Sequence, residues 1–129
     1  MRPLFMLDAS ACIHVLRGLA PFDTLPARNE TAVSSLVAAE LWTGVEKSNG
    51  PPKTRSLEIF LGLFSLIDFG SDDARHYAQI RAELERKGTL IGPMDLLIAA
   101  HARRLGVSLI TRNAREFKRV KGLKVQAWK

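Results

Sequence analysis

Short apolar runs alternate with longer stretches of helical spacing along the chain. Five runs predict buried strands: Leu4–Leu7, Thr31–Ser34, Leu66–Phe69, Val107–Thr111 and Leu123–Gln126. Six stretches predict helices: Ser10–Arg17, a helix capped by Ser34 or Ser35 that reaches about Lys47, 53–65, a helix from Asp72 or Asp73 to near Gly88, Pro93–Leu105 and Ala114–Lys118. This alternation predicts an α/β fold, with a mostly parallel sheet between two layers of helices.

Breaks in the pattern indicate connections inside one domain. Pro21–Asn29 is predicted to be a loop, and the Asn-Gly-Pro-Pro stretch at 49–52 is the clearest break between helices. At 129 residues the chain fits a single domain spanning 1–129. Its apolar runs are too short to span a bilayer, and Cys12 has no partner for an internal disulfide. We therefore expect a cytoplasmic protein without a membrane segment.

The net charge of +6 is concentrated at one end of the chain. The segment from Arg112 to Lys129 holds seven basic residues and one acid, so the rest of the chain is balanced. A basic segment of this kind favours a polyanion such as nucleic acid as the partner. Arg112 and Arg115 are the candidates for contacts to an RNA backbone.

Several polar residues are predicted to meet at the carboxyl ends of the strands, where parallel α/β sheets bind their ligands. Asp8 follows the first strand, Asn113 follows the fourth, and Asp95 lies in the first turn of an apolar helix. Glu40 lies in the middle of the helix that follows the second strand.

Glu40 and Asp95 have no basic residue three or four positions away, unlike Glu83, which has Lys87. Acids in apolar surroundings need a neutralising partner, and carboxylate oxygens suit Mg²⁺ or Mn²⁺. Such a site would serve phosphodiester hydrolysis. His101, on the helix of Asp95, is predicted to pack rather than to react.

Each of these residues also has a plainer interpretation. Asp8 would cap the following helix, Asp95 would be a favourable charge at a helix N-terminus, and Glu40 would point to water. Asn113 would be a turn residue, and Glu116 would be a solvated partner of its basic neighbours. Sequence spacing alone does not decide between these interpretations and a metal site.

Four segments in order resemble the PIN-domain family, and within it the VapC-type ribonuclease toxins of bacterial toxin–antitoxin pairs. They are FMLDAS at 5–10, SSLVAAEL at 34–41 continuing to 48, IRAELERKG at 80–88 with IGPMD at 91–95 and IAAHA at 98–102, and LITRNAREF at 109–117 with Gly122-Leu123 and Trp128. The resemblance covers essentially the whole chain.

The resemblance implies a three-layer domain whose acids gather at one edge of a sheet of about five strands. Asp8, Glu40 and Asp95 match the family's acidic metal ligands, and its fourth acidic position falls at Asn113 or Glu116. Ser10 stands where the family often has Asn, and Ser10 and Thr111 would support the site by hydrogen bonds.

The implied activity is a Mg²⁺-dependent RNA endonuclease, with Mn²⁺ able to substitute, that inhibits translation by in-line attack of water on an RNA phosphate. A structured RNA such as initiator tRNA is the expected type of substrate. The implied partners are a VapB-type antitoxin that occludes the site, often with an Arg or Lys, and a second copy in a homodimer.

Two other functions compete with this one. A degenerate PIN domain would bind RNA or protein without cutting, and Asn113 in place of an acid leaves that open. A haloacid-dehalogenase-type phosphohydrolase would use Asp8 as nucleophile, but it needs a late acidic pair after a strand. The adjacent pair in this chain, Asp72-Asp73, starts a helix instead.

Overall fold

The computed structural model describes residues 2–48 and 51–128, which form one parallel sheet flanked by helices. The strands are β1 (Phe5–Leu7), β2 (Thr31–Ser34), β3 (Ser65–Ile67), β4 (Ser108–Thr111) and β5 (Lys124–Ala127). The helices are α1 (Ala9–Leu16), α2 (Ser35–Lys47), α3 (Pro51–Leu61), α4 (Ser71–Lys87), α5 (Pro93–Leu105) and α6 (Ala114–Phe117). Every pairing in the described sheet is parallel, in the order β3-β2-β1-β4-β5.

The three-layer α/β architecture predicted from the sequence is confirmed. All four residues of β2, and nearly all those of β1 and β4, are buried. Since successive side chains of a strand point to opposite faces, helices must cover both faces of these central strands. The edge strands β3 and β5 are mostly exposed.

Helix signals in the sequence located most boundaries to within two residues. Ser34 is the cap of α2, where its hydroxyl accepts a hydrogen bond from the Leu36 N–H at 3.1 Å. Pro93 opens α5, and Gly106 ends it in the left-handed conformation, with φ of 72°.

The region around α3 differs most from the prediction. The helix ends at Leu61 rather than at 65, because the chain turns there and Phe64 packs its ring 5.1 Å from that of Phe60. The next strand therefore starts earlier, at Ser65. It also ends before Phe69, whose N–H binds the Ser35 hydroxyl.

Two connections were predicted to lack helices and strands. The predicted loop 21–29 contains two short 3-10 turns, Phe22–Thr24 and Arg28–Glu30. Positions 49 and 50 of the break predicted at 49–52 lie outside the described residues, whereas Pro51 and Pro52 belong to α3, because proline is tolerated in the first turn of a helix. None of the described helices is long and apolar enough to cross a membrane.

The sheet register determines where the functional residues meet. Leu7 lies beside Val33 on one side and Ile110 on the other. The next residue of each strand brings Asp8, Ser34 and Thr111 to the carboxyl edge of the sheet.

Candidate active site

Asp8 is held rigidly at the end of β1. Its side chain is 4% exposed and caps α1, with Oδ1 accepting hydrogen bonds from the Ala11 N–H at 3.0 Å and the Ser10 hydroxyl at 2.6 Å. The Thr111 hydroxyl donates to Oδ2. Three donors on two oxygens fix the orientation of this carboxylate, so the capping role and a place in the site are compatible.

Ser10 and Thr111 are themselves positioned by the chain beyond β4. The Arg112 N–H donates to the Ser10 hydroxyl at 3.0 Å, and the Asn113 N–H donates to the Thr111 hydroxyl at 2.9 Å. Each hydroxyl thus accepts one backbone hydrogen bond and donates one hydrogen bond to Asp8. The predicted supporting residues therefore connect the ends of β1 and β4.

Asp95 lies in the first turn of α5 and is partly buried. Burial, together with the negative charges of Asp8 and Glu116, raises the pKa of Asp95. The influence of those two carboxylates shows that residues distant in sequence meet at the N-terminal end of this helix.

Glu40 faces the same group of acids from the middle of α2. Its Oε1 is buried and accepts no hydrogen bond from any residue that the structure describes. Burial, followed by the charges of Asp95 and Asp8, raises the pKa of Glu40. Its side chain is therefore turned toward the acids rather than fully to water.

Asn113 and Glu116, the two candidates for the fourth position, contact each other. The Asn113 side-chain amide donates to Oε2 of Glu116 at 3.1 Å, and the charge of Glu116 acts on Asp95. Glu116 thus faces Asp95, while Asn113 orients Glu116. Their spacing of three residues on one turn could have indicated this contact from the sequence.

Arg112 and Arg115 are the sequence neighbours of Asn113 and Glu116. Both are exposed, and they lie between or beside Asn113 and Glu116 in the segment from β4 through α6. Their side chains are free to reach a ligand that approaches the acidic edge from solvent.

We name the group of Asp8, Glu40, Asp95 and Glu116 the acidic cluster. Within the described residues none of the four forms an ion pair with a basic side chain. In residues 2–48 and 51–128, no three acidic, His or Cys side chains converge at a distance at which they could together hold a metal ion. The carboxylates of the cluster are close enough to repel one another, but they do not converge on a single point.

The donor chemistry of the acidic cluster is compatible with a divalent cation. The buried, unpartnered oxygen of Glu40 and the raised pKa values of Glu40 and Asp95 identify negative charge that lacks compensation. Oxygen donors of this kind suit a hard ion such as Mg²⁺ or Mn²⁺.

An apolar groove opens beside Glu40 between α1, α2 and α3. It has a volume of about 410 Å³ and is lined by apolar side chains that include Ile13, Leu41 and Leu57, with Arg17 at its margin. The groove gives a second macromolecule a route to the edge of the acidic cluster.

A buried polar group was missed by the sequence analysis. Asp73, interpreted only as a helix-start acid, is fully buried and paired with Arg104 at 2.7 Å. His101 packs beside Asp73 and is also fully buried, as expected of a packed residue. Partners 31 positions apart, such as Asp73 and Arg104, leave no local signal in the sequence.

The raised pKa of Glu40 gives a testable pH dependence for metal-free protein. Because the folded state holds this proton more strongly than the unfolded state, the contribution of Glu40 to stability falls as pH rises from the ordinary Glu value through the raised one. We therefore expect Glu40→Gln to become increasingly stabilising, relative to wild type, as pH rises through that window. Urea unfolding in EDTA at several pH values measures this.

Glu46→Gln, at an exposed position of the same helix, is the matched control and should show a smaller pH-dependent difference. A Glu40→Gln effect that is the same at every pH would contradict the assigned repulsion.

Comparison with known proteins places the chain in a family. The PIN domain family model matches residues 5–123. Ribonuclease VapC2 of Rickettsia felis is 38% identical, over 97% of this chain and 98% of the relative. The tRNA(fMet)-specific endonuclease VapC of Salmonella typhimurium is 37% identical, over 96% of this chain and 97% of the relative.

Solved structures agree with this relationship. The crystal structure of DNA-bound VapBC from Salmonella typhimurium contains a chain that superposes with a TM-score of 0.92 at 36% identity and full coverage of both chains. VapBC2 from Rickettsia felis, bound to a promoter DNA fragment, gives a TM-score of 0.90 at 37% identity, covering 97% of this chain and 98% of that chain. The fold, the motifs and these relatives together establish that the chain belongs to the PIN-domain family.

Proposed function

We propose that this chain is a VapC-type toxin, an RNA endonuclease that uses Mg²⁺ or Mn²⁺ at the acidic cluster. The relatives named as VapC ribonucleases match nearly the whole chain, and the solved neighbours are VapBC toxin–antitoxin complexes. The observation that carries the metal assignment is the unpartnered, buried oxygen of Glu40 beside like-charged carboxylates.

Asp8 and Asp95 would hold the ion, with Glu40 completing its surroundings. When bound, the ion supplies Lewis acidity to the scissile phosphate and lowers the pKa of water. Ser10 and Thr111 keep Asp8 in one orientation through their hydrogen bonds.

Proton transfer requires a carboxylate that is basic enough to accept a proton. Glu40 would be the candidate for that role, and burial with the charges of Asp95 and Asp8 raises its pKa. Asn113 holds Glu116 facing Asp95, which keeps the fourth carboxylate beside the reacting phosphate.

RNA has to be attracted to a surface whose centre is negative. The exposed Arg112 and Arg115 lie next to the acidic cluster and would bind phosphates on either side of the cut. A structured RNA is the proposed substrate, and initiator tRNA is the first candidate, since one relative of this length is named as a tRNA(fMet)-specific endonuclease. Action on translation would take place in the cytoplasm.

A VapB-type antitoxin is the partner. The apolar groove beside Glu40 would accommodate an apolar segment of that protein, and a basic side chain at its end would compensate the acidic cluster. Such a contact would inhibit the enzyme by occupying the position of the metal ion. Homodimer formation stays a prediction from the family resemblance.

The activity test uses total cellular RNA and purified protein freed of antitoxin. We expect cleavage with Mn²⁺, none with EDTA, and a loss of about 100-fold or more in Asp8→Ala and Asp95→Ala, because each removes charge from the reacting centre. Asp72→Ala, an exposed acid on α4, is the control and should cut as wild type does.

Equal cutting by the wild type and both cluster variants would refute the site assignment. Failure of the wild type to cut any RNA would favour the alternative of a PIN domain that only binds.

Binding of RNA tests the two arginines separately from catalysis. In Arg112→Ala/Arg115→Ala, we expect weaker RNA binding and a salt dependence whose slope falls by about 2, since about one counterion is released per phosphate contact. Mn²⁺ affinity should be unchanged. Fluorescence anisotropy with labelled RNA across a range of salt concentrations provides the measurement.

Arg75→Ala/Arg86→Ala removes the same charge from exposed positions on α4. If this control weakened RNA binding as much as the first pair did, the attraction would come from total charge rather than from the two named residues.

A further inference from the structure

A chain of buried polar side chains connects three elements behind the acidic cluster. Ser34, His101 and Asp73 are each 0% exposed. His101 Nδ1 lies 2.8 Å from the Ser34 hydroxyl oxygen, and His101 Nε2 lies 3.7 Å from Oδ2 of Asp73. The proposed reaction uses none of these groups, and their complete burial prevents contact with substrate.

Asp73 is the fixed, negative end of this polar chain. Arg104 Nε donates to its Oδ1 at 2.7 Å, and the Gly70 N–H donates to its Oδ2 at 2.7 Å. Although burial opposes ionisation, these hydrogen bonds and the charges of His101 and Arg104 lower the pKa of Asp73. The carboxylate is therefore ionised at neutral pH.

The ionised carboxylate determines the tautomer of His101. Burial lowers the pKa of His101, with Asp73 opposing it, so the ring is neutral at neutral pH and carries one proton. A lone pair on Nε2 would face the negative oxygen of Asp73, whereas an N–H there is attracted to it. The proton is therefore assigned to Nε2, and Nδ1 accepts the proton of the Ser34 hydroxyl.

The Ser34 oxygen can also accept a hydrogen bond, and it does so at the start of α2. That oxygen accepts the Leu36 N–H at 3.1 Å and so caps the helix that carries Glu40. Hydrogen bonds thus join His101 on α5 to the first turn of α2 through Ser34. On the other side of the ring, the charge of Asp73 on α4 faces His101 Nε2, which has no hydrogen-bond partner among the described residues.

The connection between Ser34 and His101 joins the same two helices that carry Glu40 and Asp95. Ser34 precedes Glu40 by six residues, and His101 follows Asp95 by six residues. Helices α2 and α5 also pack against each other. A bond between Ser34 and His101 therefore constrains the two elements that present Glu40 and Asp95.

We propose that His101 is a positioning residue, which ties the cap of α2 to α5 and thereby fixes the relative placement of the two helices that carry Glu40 and Asp95. The use of that geometry to bind an ion and cut RNA rests on the proposed function. The geometry itself is a property of the metal-free chain and can be measured without RNA.

The test measures the electrostatic coupling between Glu40 and Asp95 in EDTA. In otherwise wild-type protein, Asp95→Asn removes a like charge and should lower the pKa of Glu40, as followed by carboxyl ¹³C NMR titration. In a His101→Leu background, the same Asp95→Asn change should lower the pKa of Glu40 by less than half as much. Undiminished coupling in the His101→Leu protein would overturn the proposal.

Three further variants separate positioning from loss of stability. Ile98→Val, a fully buried change on the same helix, weakens packing without touching the polar chain and should leave the coupling intact. His101→Asn offers an amide oxygen to the Ser34 hydroxyl and should restore most of the coupling. Ser34→Ala breaks the connection from its other end, so it decides the matter if His101→Leu does not fold.

If Ile98→Val lost as much coupling as His101→Leu, or if Ser34→Ala lost none, the role of His101 would be purely structural. Mn²⁺ affinity, followed by the electron paramagnetic resonance signal of the free ion, should fall about tenfold in His101→Leu, as for other residues that orient ligands. Because the coupling is read without metal or RNA, a wild type that cuts no RNA would refute the proposed function while leaving this result unaffected.

Discussion

Repulsion among four carboxylates at the carboxyl edge of the sheet is the interaction on which the rest of the structure depends. The fold forces these acids together, because β1 and β4 are neighbours and because α2 and α5 converge on the same edge. Burial and the charges of Asp95 and Asp8 raise the pKa of Glu40, and burial and the charges of Asp8 and Glu116 raise the pKa of Asp95. Three hydrogen-bond donors hold the Asp8 carboxylate, whereas Oε1 of Glu40 has no partner among the described residues.

Much of the surrounding structure supports or uses this charged edge. Hydroxyls from β4 and α1 hold Asp8, the Asn113 amide holds Glu116, and the polar chain through His101 connects the helices behind the acids. The net charge is divided in the same way. A balanced body carries Asp8, Glu40 and Asp95, while the basic C-terminal segment that begins at Arg112 carries Glu116 and would attract RNA. Inhibition by an antitoxin would exploit the same need for positive charge.

The sequence predicted those features that depend on local physics. Apolar periodicity, the Ser34 cap, Pro93 and Gly106 located the elements closely, and strand ends predicted which edge would hold Asp8. Contacts between distant segments could not be read in this way. The bond from Thr111 to Asp8 and the pairing of Asp73 with Arg104 depend on how the strands and helices pack. The contact between Asn113 and Glu116, three residues apart, was open to sequence reasoning, whereas which of the two completes the site stays a prediction.

The free energy of unfolding at neutral pH, measured with and without saturating Mg²⁺, tests most directly whether the acidic cluster binds a divalent ion. An ion that binds only the folded acidic cluster stabilises that state in proportion to the logarithm of its concentration over its dissociation constant. We expect Mg²⁺ to stabilise the wild type clearly and to stabilise Asp95→Asn much less. An equal increment in both proteins, or none in the wild type, would contradict this expectation.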